Sequence, residues 1–131
     1  IYTGEDTLSL HDALPISVLG RLLLSDLSME ELSELYPEKT LTRYTDKTPT
    51  SLKQLKALID ADRDAGYGLS QGGFETGIST IAAPVFNDEQ RVVAAMSITV
   101  PAQQVTREQA DHLIQLVCGA ASQLTKRISH L

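Results

Sequence analysis

Tryptophan is absent from this chain of 131 residues, phenylalanine occurs twice, tyrosine four times and cysteine once. Each scarcity removes a class of function. A lone cysteine cannot build an internal disulfide framework or a multi-cysteine zinc site, and it fits a reducing compartment. So few aromatic rings do not make the stacking platforms on which proteins hold single-stranded nucleic acid. Long apolar runs are missing as well: no window approaches the ~18 uninterrupted apolar residues of a membrane span. The first residues show no basic segment followed by an apolar stretch, so a cytoplasmic location without membrane contact is expected. Positive charge is in deficit, with eleven Lys and Arg against seventeen Asp and Glu and a net charge of −6. That field repels a duplex, and this stretch is not expected to touch DNA itself.

What is present suits a folded domain, since 42% of the residues are apolar and 21% charged. The first sixteen residues are the exception. They keep no period of 2 or 3.6, and Pro15 interrupts any helix begun at Leu8 to Leu14. Residues 1–16 are therefore expected to be a non-native or disordered leader, and His11 and Asp12 receive no catalytic role.

From Ser17 the pattern is orderly. Val18, Leu19, Leu22 and Leu23 predict a buried helix over Ser17 to Asp26, with Gly20 allowing a close approach to a neighbour. Ser28 and Glu31 form a capping box for a second helix that Tyr36-Pro37 ends. A short strand is expected around Leu41 to Tyr44. Ser51 and Gln54 open a third helix with Leu52, Leu55, Leu58 and Ile59 inward, Lys53, Lys56, Asp60 and Asp64 outward, and Gly66 as its stop. A strand at Tyr67 to Ser70 and a turn at Gly72-Gly73 precede two β runs, Ile78 to Phe86 and Arg91 to Val100, joined as an antiparallel hairpin by Asn87 to Gln90. Pro84 should sit at a bulge or an edge. Thr106 and Gln109 cap a long last helix with a stripe of Ala110, Leu113, Leu116, Val117, Ala120, Ala121, Leu124 and Ile128. The order implies an α+β fold, an antiparallel sheet flanked by helices.

No phosphate loop, dinucleotide fingerprint, zincin or nucleophile-elbow motif occurs. His11, His112 and His130 show no metal spacing, and Asp60, Asp62 and Asp64 read as helix-surface charges without converging carboxylates. Cys118 falls in the apolar stripe and reads as a small buried residue. One polar set stands out. Ser79 and Thr80 lie in one hairpin strand, while Ser97 and Thr99 alternate in the other and share a face. Such a row is either a solvated β-favouring face or a set of donors for a small polar ligand, and without a strong base it suits reversible binding better than bond breaking.

Four segments then take on a joint meaning: Ser17-Val-Leu-Gly-Arg-Leu-Leu-Leu-Ser, Ala65-Gly-Tyr, Phe74-Glu-Thr-Gly-Ile-Ser-Thr-Ile-Ala-Ala-Pro-Val-Phe and Arg91-Val-Val-Ala-Ala-Met-Ser-Ile-Thr-Val-Pro. In order and spacing they resemble the C-terminal effector-binding domain of the IclR family of bacterial transcriptional regulators, from Ser17 to about Ile128. The resemblance implies a GAF-like antiparallel sheet with helices around it that holds a small effector, commonly a carboxylate or aromatic metabolite, without a cofactor or metal. Effector binding would shift operator affinity. It also implies site positions at Val18 and Leu19, at Ser70, Ile78 and Thr80, and at Ser97 and Thr99.

Two departures matter. Gly72 and Gly73 stand where many members carry an acidic pair, and Val18-Leu19 stand where Gly-Ala is frequent, which implies a narrower or more apolar wall. The family places a winged helix-turn-helix and about half of the effector sheet ahead of the matched residues, so residues 17–131 are expected to form a partial domain. In this reading DNA is met only through that helix-turn-helix, and the partners are a small-molecule effector and further copies in a homodimer or homotetramer. Two other readings stay open: a small GAF-like enzyme such as a thiol-based reductase using Cys118, and a purely structural oligomerisation module built on the long last helix.

Overall fold

The computed structural model describes residues 17–37, 41, 43, 45–71, 77–102 and 106–128. The leader expected over 1–16, the Gly72-Gly73 turn, His11 and His130 lie outside the described residues. In chain order the elements are α1 (Val18–Leu23), α2 (Met29–Leu35), α3 (Leu52–Ala65), β1 (Gly68–Gln71), β2 (Ile78–Phe86), β3 (Val92–Pro101) and α4 (Arg107–Ile128).

Side-chain caps set most of these boundaries. The Ser17 hydroxyl accepts from the Gly20 amide at 3.0 Å and starts α1. Ser28 and Glu31 satisfy each other's backbone amides at 3.2 and 3.1 Å, and Thr106 and Gln109 do the same at the start of α4 at 3.0 and 3.2 Å. Ser51 caps α3, but the Gln54 amide oxygen reaches past it to the Thr50 amide at 2.9 Å. Gly66, at φ 85°, ends α3 in the left-handed conformation that a Cβ disfavours.

Beyond one-residue shifts at β1 and β3, two elements differ from the sequence reading. Helix α1 stops at Leu23, short of Asp26, whose carboxylate instead accepts from the Val92 amide at 2.9 Å where β3 begins. The strand expected at Leu41 to Tyr44 is not found at its described residues, Leu41 and Arg43. Threonine hydroxyls compete for the backbone just beyond it: Thr48 Oγ1 accepts from the Thr45 amide at 2.8 Å and Thr45 Oγ1 from the Lys47 amide at 3.1 Å, which closes a turn. Leu41 is nevertheless buried, packed with Leu24, Leu32, Leu52, Leu55 and Ile59 in the α2–α3 cluster.

The sheet is antiparallel in the order β1-β2-β3, with Leu69 opposite Ile81 and Ile81 opposite Ile98. Pro84 lies beyond the last β1 partner, Ala82, and just ahead of a bulge at Val85/Phe86, so its missing N–H disturbs little of the ladder. Because side chains alternate, Ile81, Ala83 and Val85 face Val117 and Ala121 of α4, while Ala82 faces Val18 and Leu22 of α1. The α+β expectation is met, a sheet lying between helices.

The apolar stripes are narrower than their leucines suggested. Leu58 and Leu116 point outward, Leu116 with 51% of its surface exposed, and Ile114 and Cys118 turn toward the sheet in its place. Among the described residues no helix is long and apolar enough to cross a membrane. These placements predict that Leu55→Ala, at a position with 0% exposure, loses about 2–5 kcal/mol. Leu116→Ala should stay within about 0.5 kcal/mol. Urea denaturation of the two variants checks both.

Candidate functional site

The β2–β3 register assembles a polar face. Residues directly opposite one another share a side of the sheet, so Ser70, Thr80 and Thr99 form one row across β1, β2 and β3. The Thr80 and Thr99 hydroxyls are hydrogen-bonded at 3.2 Å. The adjacent row on the same side is Gly68, Ala82 and Ser97, and Ile78 opposite Pro101 lies on the other flank. Ser70 and Thr80 are half-buried, whereas Ser97 and Thr99 are exposed. Ser79 points to the other side, toward α4, and is not part of the row.

Helix α1 closes one end of this face. Val18, 2% exposed, and Leu22 pack on Ala82. A Cβ built on Gly68 would come within 2.8 Å of Val18 Cγ1, so the helix sits directly on the β1 backbone. The site positions Val18, Ser70, Ile78, Thr80, Ser97 and Thr99 therefore share the α1 side of the sheet. Leu19 shares the helix but lies on its exposed side, outside the apolar cluster at the sheet.

One feature beside this face escaped the sequence reading. Arg21 is 4% exposed and donates from Nε to Asp62 Oδ2 at 2.9 Å and from Nη2 to the Leu69 carbonyl at 3.2 Å. Asp62, expected on the surface with Asp60 and Asp64, is 8% exposed, because Leu52, Leu55, Ile59 and Asp62 fall on one side of α3. That spacing is the signal that could have found it. Burial pushes the Asp62 carboxyl above its ordinary range, and the Arg21 hydrogen bond and charge pull the other way. On α3, Asp60 is instead lowered by its hydrogen bond from Lys56.

A cavity of about 650 Å3 opens on the opposite, α4 side, between Leu69, Ser79, Ile81 and Val100 of the sheet and Arg107 and Ile114 of α4. None of the site positions named from the sequence lines it. Its mouth mixes Lys47 and Arg107 with Asp46 and Asp111, charges of both signs. Cys118 is half-buried in the α4 stripe with its thiol pushed upward by burial, the wrong direction for a nucleophile at neutral pH. Among the described residues no cluster of His, Cys, Asp and Glu could hold a metal ion.

Comparison with known proteins gives a consistent result. The model of the family described as "Bacterial transcriptional regulator IclR C-terminal" matches residues 8–126, beginning inside the segment expected to be a leader. The HTH-type transcriptional repressor AllR of Klebsiella pneumoniae is 38% identical over 87 residues, 66% of this chain and 32% of that protein. The HTH-type transcriptional regulator KdgR of Escherichia coli K12 is 26% identical over 114 residues, 87% of this chain and 43% of that protein. The chain thus spans less than half the length of these curated relatives. The solved C-terminal domain of E. coli KdgR superposes with a TM-score of 0.80 at 26% identity, covering 89% of this chain and 71% of that one. The inducer-binding domain of a double mutant of the PobR transcription factor from Acinetobacter, in complex with 3-hydroxybenzoic acid, superposes with a TM-score of 0.75 at 28% identity, over 90% of this chain and 66% of that one.

The close seat of α1 on β1 gives a direct test. Gly68→Ala should destabilise the fold by about 1–3 kcal/mol, since Val18 must move. Gly119→Ala on α4, whose added Cβ meets nothing within 4 Å, should stabilise by up to about 1 kcal/mol. Paired urea melts measure both signs.

Proposed function

The chain belongs to the IclR family of bacterial transcriptional regulators, and we propose that it is an effector-sensing domain whose ligand site is the sheet face beneath α1. The observation that supports this reading is the Ser70–Thr80–Thr99 row, with Ser97 beside it and Val18 as an apolar wall. Hydroxyls are donors that rotate to suit an acceptor, and with no base among them they hold a ligand without attacking it. Donors beside an apolar wall fit a small carboxylate or an aromatic acid: the carboxylate accepts from the hydroxyls and the hydrocarbon part covers Val18 and Ile78.

Effector binding would act on α1. A ligand touching both the sheet and α1 favours whichever α1 position gives it more contact, and the regulator's equilibrium moves toward that state by the difference in affinity. Operator affinity then changes through linkage. Contact with DNA belongs to a winged helix-turn-helix in the part of the relatives' length that this chain does not span, in keeping with the charge of −6 here. Residues 17–131 form part of the effector domain in this account, which works in the cytoplasm as a homodimer or homotetramer. Thiol chemistry loses its motive, because the Cys118 thiol is harder to ionise than a free one.

Calorimetric titration of the chain with small carboxylates and aromatic acids tests the reading. Ser97→Val with Thr99→Val should leave the melting curve nearly unchanged, since both residues are exposed, and weaken binding by about tenfold or more, the worth of about one hydrogen bond to a charged group. Unaltered affinity in that double variant would exclude this face. Cys118→Ala should bind as the parent chain does, and loss of binding there would bring the thiol back into consideration.

A further inference from the structure

Helix α1 is six residues long, too short to hold its own shape in water. Its position depends on what it is fastened to. Its apolar contacts are Val18 and Leu22 on Ala82 and Ala95, with Leu24 just past its end buried in the α2–α3 cluster. Its polar fastening is Arg21, whose side chain leaves the same buried side of the helix and ends on two other elements, α3 through Asp62 and β1 through the Leu69 carbonyl.

We propose that Arg21 is a positioning residue for the effector site: by fastening α1 to α3 and to the edge strand β1, it sets how deep Val18 sits beside the hydroxyl row. The proposal rests on the reading of this face as the effector site. Leu69 stands between Gly68 and Ser70, the two β1 residues on the α1 side, so the bond to its carbonyl fixes both the backbone under Val18 and one end of the row. The three elements meet at one point. An added Cβ on Gly68 would lie 2.8 Å from Val18 Cγ1 and 3.2 Å from Asp62 Oδ2, so Val18 and the ion pair both abut the Gly68 backbone.

Stability alone does not account for the pair. Two charges are taken out of water, and burial makes the Asp62 carboxyl harder to ionise in the fold than in the unfolded chain. An apolar pair of similar volume would fill the space as well. It could not address two elements in fixed directions, which the planar guanidinium does and a lysine ammonium does not.

The experiment compares the 131-residue chain with Arg21→Met/Asp62→Leu, chosen so that no buried charge is left alone, and with Arg21→Lys. Proton NOEs between the Val18 methyls and the Gly68 α-protons report the seat of α1, and amide shifts of Thr80 and Thr99 follow titration with acetate and with benzoate. The double variant is expected to fold, to lose or weaken the Val18–Gly68 NOE, and to change the benzoate-to-acetate affinity ratio by about fivefold or more, the lower end of ordinary coupling between sites. Arg21→Lys should show the same changes. If the double variant keeps both the NOE and the ratio, Arg21 is only a filler of space and the proposal is overturned. Loss of the NOE in the variant, with neither acid bound by the unaltered chain, overturns the effector reading while leaving Arg21's hold on α1 established.

Discussion

The register between β2 and β3 is the constraint on which the structure depends. It places Ile81, Ala83, Met96 and Ile98 on one side of the sheet, where α4 covers them, and Thr80, Ala82, Ser97 and Thr99 on the other, where α1 covers only Ala82 and its surroundings. A one-residue slip of β3 would bury Ser97 and Thr99 under α4 and turn Met96 and Ile98 outward. The apolar demand of α4 therefore fixes the hydroxyl row on the other side. The Asn87 to Arg91 turn secures that register: the Asn87 carboxamide oxygen accepts from the Glu89 and Arg91 amides at 2.9 and 3.1 Å, and Gln90 takes a positive φ of 63°.

The two sides of the sheet are covered by helices of very different length. The 22-residue α4 lies along β2 and β3 with Val117 and Ala121 buried. Helix α1 is short but deeply seated: Val18, Gly20, Arg21 and Leu22 are buried, and it touches β1, β2, β3 and α3.

Much of this was legible in the sequence because it depends on neighbours in the chain. Capping residues at Ser28, Ser51 and Thr106, the Gly66 stop, the hairpin and the alternation of Ser97 with Thr99 involve residues within a few positions of one another, and local geometry decides them. The misses have a common cause in tertiary packing. Leu58 and Leu116 are apolar in the right period, yet they lie on the exposed side while Ile59 and Val117 next to them are buried. Arg21 and Asp62 are 41 positions apart, and the burial of either charge makes sense only with the other in place. The threonine-rich segment after Leu41 has β-favouring residues whose hydroxyls take the backbone for a turn. For the site, the pairing of Ser97 and Thr99 on one face was readable from alternation. That Ser70 completes the row with Thr80 required the β1–β2 register.

Among the described residues, the hydroxyl face beneath α1 and the α4-side cavity lie on opposite sides of one sheet. Amide chemical-shift mapping of the chain with 3-hydroxybenzoate separates them most directly. The account predicts saturable shifts concentrated at Ser70, Thr80, Ser97 and Thr99 and at Val18 of α1. Shifts gathered instead around Lys47, Ser79 and Ile114, which line the α4-side cavity, would contradict it.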